Sequence, residues 1–452
     1  MNIVVAGAGQ VGYAVAKQLS SENHDITLID KNIDYLNTAS GSLDVICYQG
    51  NSASLEVLKD ASVDKADVFI AATSEDEVNM VSGIIAKKLG AKHTMARIRN
   101  PEYITSQEDM STLLGISMVF NPDKLAAEEI ARILQFPAVS RIEKFESSDL
   151  ELFTYTILPG SKLAGLKLSD IGRAFASKIL VCAVERDKNV YIPDGQFELR
   201  EKDSITLIGN HHDLKKFFAH YKEYRKPVKN VMVVGGGRIA VYLHEILKEE
   251  NINVTLVDQS RERCEYLSDI LPNANIINAK GSDAVVLKEA AYNNTDALVT
   301  LTGNDENNIV LALYAGKHGI EKTIVKINEE QFVDLVNGSN IDTIVIPKAL
   351  ISQRIIRYVR SINNTQGSSI IESFYRLVDD KVEVMEFEVK DNADYVGIPL
   401  KEIGLKPNIL LASIIRDRKS RIPNGNTSIC IGDRVIVISL KGTVTDMDSL
   451  TK

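Results

Sequence analysis

The amino-acid sequence contains one unit that is written twice. The segment IVVAGAGQVGYAVAKQLSSENHDITLIDKN, which starts at Ile3, recurs as VMVVGGGRIAVYLHEILKEENINVTLVDQS from Val231. Further along, ADVFIAATSEDEVNM from Ala66 corresponds to TDALVTLTGNDENNI from Thr295. Each copy has the pattern of a strand, a glycine-rich turn, a helix and another strand, followed by more alternation of the same kind. This pattern predicts two parallel sheets, each covered by helices on both faces.

A second, different unit follows each copy, and it is repeated as well. The segment GLKLSDIG from Gly165 matches GIPLKEIG from Gly397, and IPDGQFELREKDSITLIG from Ile192 matches IPNGNTSICIGDRVIVIS from Ile422. Short runs of β-branched residues between turn residues predict a small, largely β or α+β domain. The predicted fold class is therefore α/β, with two Rossmann-like parallel-sheet domains that are each followed by a small α+β domain. The polar segment around 220–230 is the expected boundary between the halves.

The composition argues against several classes of protein. A formal net charge of -9, without a long Lys/Arg cluster, argues against binding to nucleic acid or to anionic lipid. The start, MNIVVAGAG, runs directly into a strand, and no stretch approaches the roughly 20 apolar residues of a membrane helix. The four cysteines form no CxxC pair, so no metal or redox centre is expected. We therefore expect a cytoplasmic protein that reaches a membrane only through a partner.

The first copy carries a dinucleotide-binding motif. Gly7, Gly9 and Gly12 form G-x-G-x-x-G between the apolar strand NIVVA and the helical run YAVAKQL. Such glycines permit a tight turn, let a pyrophosphate approach the backbone and bring helix and strand together. The strand DITLID ends at Asp30, where a carboxylate can accept hydrogen bonds from ribose hydroxyls, although a helix cap is the alternative role. Because a 2′-phosphate would face this negative charge, the motif favours NAD(H) or an adenine nucleotide over NADP.

The second copy has a variant of the same motif. Gly235, Gly237 and Ala240 occupy the three glycine positions, and Asp258 takes the ribose position. Arg238 lies inside this turn, where its guanidinium could face a phosphate. A second nucleotide site is one interpretation of this copy, and a degenerate copy that is kept for its fold is the other.

Other residues follow strands at the edge where open α/β sheets bind ligands. Thr73 and Ser74 come after the strand VFIAAT, and Thr302 holds the corresponding position in the second copy. Arg97 ends a strand in the first copy and Lys326 does so in the second, which places a cation near each expected phosphate position. A single such cation is commonly a surface charge, but its recurrence favours a role in ligand binding.

The combination of GAGQVG, DITLIDKN, ADVFIAATSEDEVNM, ARIRNPEY and GLKLSDIG, all in duplicate units, resembles the TrkA family, the cytosolic regulatory subunits of Trk-type potassium uptake. The two kinds of domain resemble the halves of RCK domains (regulators of potassium conductance). The resemblance implies binding of NAD(H), with ATP or ADP as further ligands. It also implies a homo-oligomeric RCK ring beneath a membrane-embedded potassium-translocating subunit of the TrkH/TrkG type.

The resemblance also implies domain boundaries and site residues. The N-domains would span 1–123 and 228–347, the crossover helices 124–142 and 348–366, and the C-domains 143–224 and 367–452. The first site would comprise Gly7, Ala8, Gly9, Gln10, Val11, Gly12, Asp30, Thr73, Ser74 and Arg97. The second would comprise Gly235, Gly236, Gly237, Arg238, Ile239, Asp258, Thr302 and Lys326. The apolar spacing of the crossover segments fits either pairing of adjacent units or packing inside one domain.

Two other functions use similar sequence features. An NAD-dependent oxidoreductase would need a substrate domain that supplies an acid or a base, whereas the repeated residues of the small units, such as Gly165, Leu168 and Ile171, are turn and core types. We therefore expect no catalytic residue. An RCK-type regulator of another channel or antiporter is the second alternative, and duplication within one chain favours potassium uptake because many other RCK proteins carry a single copy.

Overall fold

The structure is a computed structural model. It describes residues 1–450 apart from 23, 101–102, 104–106, 136–138, 146–147, 176–177, 222–227, 281–293, 321, 330, 337–340, 364–368, 378–380, 390–394, 418 and 445–449.

The first Rossmann-like domain is a parallel sheet of six strands: β1 (Asn2–Ala6), β2 (Asp25–Asp30), β3 (Ile46–Gln49), β4 (Val68–Ala71), β5 (His93–Arg97) and β6 (Met118–Phe120). Its helices are α1 (Gln10–Ser20), α2 (Ile33–Ser42), α3 (Leu55–Asp60), α4 (Asp76–Leu89), α5 (Gln107–Leu114) and α6 (Pro122–Gln135). The strand order is β3-β2-β1-β4-β5-β6. The apolar runs of β1 and β4 are buried because helices cover both faces of such sheets. The reversal of order at β1 and β4 is the point where ligands bind in open α/β sheets.

The first small domain is an antiparallel sheet with two helices. Its elements are β7 (Val139–Lys144), β8 (Leu150–Thr156), α7 (Leu168–Ala174), β9 (Leu180–Arg186), β10 (Asn189–Tyr191), β11 (Ser204–Asn210) and α8 (His211–Tyr221). The strand order is β10-β9-β11-β8-β7. Asp203 of this domain is buried and forms a two-fold hydrogen-bonded ion pair with Arg186, at 2.7 Å for both contacts.

The second Rossmann-like domain repeats the first. Its elements are β12 (Asn230–Val234), α9 (Arg238–Glu249), β13 (Asn253–Asp258), α10 (Arg261–Ile270), β14 (Asn275–Asn278), β15 (Ala297–Thr300), α11 (Asp305–Lys317), β16 (Lys322–Lys326), α12 (Gln331–Val336), β17 (Thr343–Val345) and α13 (Pro347–Asn363). The parallel strands follow the order β14-β13-β12-β15-β16-β17, which is the order of the first sheet.

The second small domain repeats the antiparallel sheet. It contains β18 (Ser369–Leu377), β19 (Val382–Val389), α14 (Leu400–Ile403), β20 (Ile409–Arg416), β21 (Lys419–Arg421) and β22 (Arg434–Leu440), in the order β18-β19-β22-β20-β21. Arg416 and Asp433 repeat the buried ion pair, at 2.6 Å for both contacts. The predicted fold class, with two Rossmann-like sheets that are each followed by a small α+β domain, is confirmed.

The chain forms two compact units, and each unit takes segments from both halves of the sequence. One unit contains residues 1–134 and 228–359, which are the two Rossmann-like domains, and the other contains residues 135–227 and 360–452. In the first unit, the buried face of α6 shares one apolar cluster with the second Rossmann-like domain, where Ile130 and Leu134 join Leu243 and Leu247. The α6 helix therefore packs against the neighbouring Rossmann-like domain of the same chain.

The crossover helices differ in length from their expected ranges. The α6 helix begins at Pro122 and ends at Gln135, and β7 occupies residues 139–144, which were expected to be partly helical. The α13 helix spans Pro347–Asn363 and contacts the first domain through Tyr358, whose ring meets that of His93 edge-on with 6.3 Å between centroids. The expected boundary around 220–230 and the expected start of the last domain at 367 fall on residues 222–227 and 364–368, outside the described residues.

Two features of the helices and polar side chains bear on function. No helix in the described segments has the length and apolar character needed to cross a membrane. Among the same segments, no group of three or more His, Cys, Asp or Glu side chains is arranged to hold a metal ion.

Candidate nucleotide-binding sites

The first glycine turn has two glycines that the fold requires and one that it does not. Gly7 has a φ of +102°, and a Cβ there would lie 2.8 Å from the backbone of Ala72 and Thr73. A Cβ on Gly12 would lie 1.8 Å from the carbonyl oxygen of Gly7, so that glycine is needed for close helix packing. By contrast, a Cβ on Gly9 would meet no atom within 4 Å, and the φ of Gly9, -68°, is one that any residue can adopt. Gly9 therefore borders open space of the kind that a pyrophosphate needs next to the backbone.

The aspartate after β2 is held in place by the glycine turn. One carboxylate oxygen of Asp30 accepts a hydrogen bond from the Ala8 amide at 2.7 Å, and the other accepts one from the Asn32 amide at 2.8 Å. Each carboxylate oxygen keeps further acceptor capacity, since an ionised carboxylate has about four lone-pair positions. The carboxylate is thus fixed at the edge of the turn and can still accept hydrogen bonds from ribose hydroxyls.

A cavity of about 450 Å³ lies over this turn, which is within the usual size range of small-molecule sites. Of the residues expected at the first site, those that line the cavity are Gly7, Gly9, Gln10, Val11, Asp30, Thr73, Ser74 and Arg97. Ala8 and Gly12 are not among its lining residues; the Ala8 amide donates to Asp30, and Gly12 packs against Gly7. Lys31, Asn32, Tyr35, Val78 and Arg99 also line the cavity and were not expected from the sequence.

Arg97 provides a buried positive charge at this cavity. Its side chain is 9% exposed, and its Nη2 donates a hydrogen bond to the carbonyl oxygen of Thr73. Its Nε is buried and has no hydrogen-bond partner in the described part of the chain. Burial, together with the positive charge of Arg99, lowers the pKa of Arg97 to about 10, so the guanidinium remains charged at neutral pH. A buried cation with an unused donor is well suited to stabilise a phosphate.

The second glycine turn has the same construction. A Cβ on Gly235 would lie 2.8 Å from the backbone of Leu301, whereas one on Gly237 would meet no atom within 4 Å. The Asp258 carboxylate accepts hydrogen bonds from the amides of Gly236 at 2.8 Å and Ser260 at 2.9 Å. The second copy therefore keeps both the anchored carboxylate and the open space beside the middle glycine.

The cavity over the second turn has a volume of about 630 Å³. Of the residues expected there, those that line it are Gly235, Gly236, Gly237, Asp258 and Thr302. Arg238, Ile239 and Lys326 are not among its lining residues. The Arg238 Nε instead donates to Asp123 of the first domain at 2.7 Å, and Ile239 is buried in the apolar cluster with α6. Lys326 is partly buried, which lowers its pKa, and Lys280 lines the cavity in its place.

Comparison with known proteins identifies the family. The TrkA-N domain model matches residues 3–122 and 231–347, and the TrkA-C domain model matches residues 152–221 and 384–451. The chain belongs to the TrkA family. The Trk system potassium uptake protein TrkA homolog of Archaeoglobus fulgidus is 30% identical over 445 residues, which are 97% of each chain. TrkA homolog 1 of Methanosarcina mazei is 29% identical over 463 residues, with full coverage of both chains.

Solved structures share the fold of this TrkA-family chain. A structure described as the GsuK channel bound to NAD matches with a TM-score of 0.64 and 17% identity, covering 97% of this chain and 77% of that chain. A structure described as GsuK bound to ADP matches with a TM-score of 0.52 and 14% identity, covering 79% and 69%. At these identities the similarity shows the fold alone.

Two buried asparagines that position residues of the candidate sites, Asn79 and Asn308, were missed by the sequence analysis. Asn79 is fully buried, and its Oδ1 accepts hydrogen bonds from the Thr73 amide at 2.8 Å and the Thr73 hydroxyl at 2.7 Å. Its Nδ2 donates to the carbonyl of Arg97 at 3.0 Å. Asn308 makes the same contacts with Thr302 and Lys326. The repeat alignment pairs Asn79 with Asn308, so a buried asparagine on each helix was a signal for this bridge.

Proposed function

We propose that this chain is a nucleotide-sensing regulatory subunit that controls potassium uptake and is not an enzyme. It binds NAD(H), or ATP and ADP, at its Rossmann-like domains, and it acts on a membrane-embedded potassium-translocating subunit of the TrkH/TrkG type. It works at the cytoplasmic face of the membrane, in a homo-oligomeric ring of RCK domains. The single observation that carries the proposal is the paired glycine turn, in which Gly9 and Gly237 each border open space beside an anchored aspartate.

The residues present fit a nucleotide. Asp30 would hold the ribose, the amides next to Gly9 and the N-terminus of α1 would hold the pyrophosphate, and Arg97 would stabilise its charge. Asp258 and Gly237 would do the same in the second domain. The names of the relatives support potassium uptake, and the NAD and ADP in the two GsuK titles support both classes of ligand.

Regulation follows from the arrangement of the two domains in one compact unit. A nucleotide that binds one arrangement of the domains better than another stabilises that arrangement by the difference in its two affinities and by no more. Because NADH and ATP differ in length and charge, they favour different arrangements. The surface that the chain presents to the partner subunit then differs between the NADH-bound and the ATP-bound state.

The proposal is tested by potassium flux. The full chain is reconstituted in liposomes with its potassium-translocating subunit, and the flux of potassium is measured with NAD, NADH, ADP or ATP. We expect the flux to differ between nucleotides and to lose this dependence in an Asp30→Ala, Asp258→Ala double variant. A flux that no nucleotide changes, or oxidation of NADH by the purified chain that depends on an added substrate, would contradict the proposal.

A further inference from the structure

The two nucleotide cavities differ in the positive charge that lines them. The first cavity is lined by three cationic side chains, those of Lys31, Arg97 and Arg99. Among the residues that the structure describes, the second cavity has one, Lys280. Lys280 follows β14, whose last residue pairs with Asp258, so this cation lies on the ribose side of the second glycine turn. No described cation lines the other side, where a phosphate chain extends beyond the turn.

Arg238 has a sequence position from which a cation could reach the second cavity. In the first copy this position is Gln10, and Gln10 lines the first cavity. Arg238 is directed elsewhere, because its Nε donates a hydrogen bond of 2.7 Å to an Asp123 carboxylate oxygen. The Asp123 side chain is 18% exposed and that of Arg238 is 46% exposed. The acid, as the more buried partner, therefore sets the direction of the arginine.

Lys326 also lies near this acid and does not line the second cavity. Its counterpart Arg97 lines the first cavity, where Nη2 donates to the carbonyl oxygen of Thr73. Burial lowers the pKa of Lys326, and the negative charges of Asp305 and Asp123 oppose this change, which places the ammonium near both carboxylates. Asp123 lies near Arg97 as well, but the hydrogen bond to Thr73 keeps that guanidinium at the first cavity.

The acid belongs to one copy of the repeat and not to the shared fold. Asp123 lies in the first turn of α6, and the corresponding residue of α13 is Lys348. The residue that corresponds to Arg99 is Asn328, whose Nδ2 donates to an Asp305 carboxylate oxygen at 2.9 Å. The second copy thus has a neutral side chain where the first has a guanidinium. Neither difference is needed to build the Rossmann-like domain, since the other copy folds without it.

Nucleotides differ in the negative charge that they bring beyond the glycine turn. The terminal phosphate of ADP or ATP carries about two negative charges at neutral pH, because the second pKa of such a group is about 6. Both phosphates of a dinucleotide lie inside the pyrophosphate bridge, where each is esterified and carries a single charge. Backbone amides and a helix N-terminus can hold a pyrophosphate without a cation. A terminal phosphate therefore needs a cation that the described part of the second cavity does not supply on this side.

We propose that Asp123 makes the second site selective for a dinucleotide such as NAD(H) over ATP, because it holds Arg238 away from the second cavity. The first site, with Arg97 and Arg99 at its cavity, accepts both classes of ligand. ATP is therefore sensed by the first Rossmann-like domain, whereas NAD(H) is sensed by both. This inference rests on the proposed function and assigns the choice of ligand at the second site to a residue of the first domain.

The test is calorimetric titration of the full chain with NADH and with ATP, in a Gly9→Ala background that weakens the first site. We expect the remaining site to bind NADH at least about tenfold more tightly than ATP. Asp123→Asn keeps the size of the side chain and removes its charge, and since the ion pair is partly exposed, the variant should fold like the wild type. It should tighten ATP binding about tenfold, as one new charge-assisted contact does, and change NADH binding by less than about threefold.

Two further variants show whether the contact between Asp123 and Arg238 is responsible. Arg238→Gln, added to Asp123→Asn, gives the second copy the residue that the first has at Gln10 and should remove most of the gain in ATP affinity. Glu128→Gln removes the same charge further along α6 and should leave ATP affinity within about twofold. Unchanged ATP affinity in Asp123→Asn, or an equal gain in Glu128→Gln, would overturn this inference alone. A wild-type chain that binds neither nucleotide would overturn the proposed function as well.

Discussion

Tyr242 of the second Rossmann-like domain is joined to Asn121 of the first by a buried hydrogen bond of 3.0 Å, with Asn121 Nδ2 as the donor. The same hydroxyl donates to the carbonyl oxygen of Arg99 at 3.1 Å, so one phenol fixes the second domain to a residue that lines the first nucleotide cavity. The position that corresponds to Tyr242 in the first copy is Ala14, so the first copy has no hydroxyl at this position.

Tyr242→Phe should therefore loosen the two Rossmann-like domains. Burial raises the pKa of Tyr242 to about 12, so the hydroxyl is neutral at ordinary pH and acts as a hydrogen-bonding group. Loss of its two hydrogen bonds should lower the free energy of unfolding by about 1–2 kcal/mol. Denaturant unfolding measures this, and Tyr266→Phe, which removes an exposed hydroxyl, should change the free energy by less than about 0.5 kcal/mol. Equal effects of the two variants would show that the interdomain link contributes nothing.

Arg97→Met should weaken the binding of phosphate-bearing ligands at the first site. The guanidinium is buried at the first nucleotide cavity, so its charge is poorly screened, and we expect ADP affinity to fall about tenfold or more. Adenosine, which has no phosphate, serves as the control ligand and should lose little affinity. An equal loss for both ligands would indicate a structural defect instead of a lost charge contact.

The charge of Arg97 also predicts a pH dependence. Its folded pKa of about 10 is below the ordinary value for an arginine side chain, so the group is charged in both the folded and the unfolded chain below about pH 10. Its burial therefore costs stability at all lower pH values, and this cost is relieved only as the pH rises above about 10, because the folded chain then loses the proton before the unfolded chain does. For ADP binding we expect a constant contribution from Arg97 between pH 6.5 and about 9 and a loss above about 10. Titrations of wild type and Arg97→Met over this range should converge at high pH.

Asp203→Ala should destabilise the first small domain and leave nucleotide binding unchanged. Asp203 is 1% exposed, and its hydrogen bonds hold the Arg186 guanidinium at a pKa above its ordinary value. Removing it leaves a partly buried cation without this partner, which should cost about 3 kcal/mol. The exposed ion pair of Asp170 and Arg173 gives the matched control, because Asp170→Ala should cost less than about 1 kcal/mol. Similar costs at the two positions would contradict this account of the buried pair.

The fold could be predicted from the sequence because each pattern of strands, turns and helices occurs in both copies of the repeat. The glycine turn and the carboxylate at the end of the next strand are local features, so their positions at the cavity follow from strand order. Arg238 could not be placed in this way. The direction of the Arg238 side chain is set by its hydrogen bond to Asp123, which lies 115 residues away in the sequence. The two residues meet only because α6 packs against the second domain. Lys280 has no cationic counterpart in the first copy, so no pattern pointed to it.

The most direct test of the central claim is the addition of one methyl group to each open glycine. Gly9→Ala and Gly237→Ala place a Cβ in space that holds no protein atom, as does the control Gly41→Ala on α2, so all three variants should fold like the wild type. Calorimetric titration of the full chain with NADH should show that each site variant loses one binding event or weakens it by at least about tenfold, while the control keeps both. If the double variant Gly9→Ala, Gly237→Ala bound NADH as the wild type does, the glycine turns would not be the nucleotide sites and the account would be wrong.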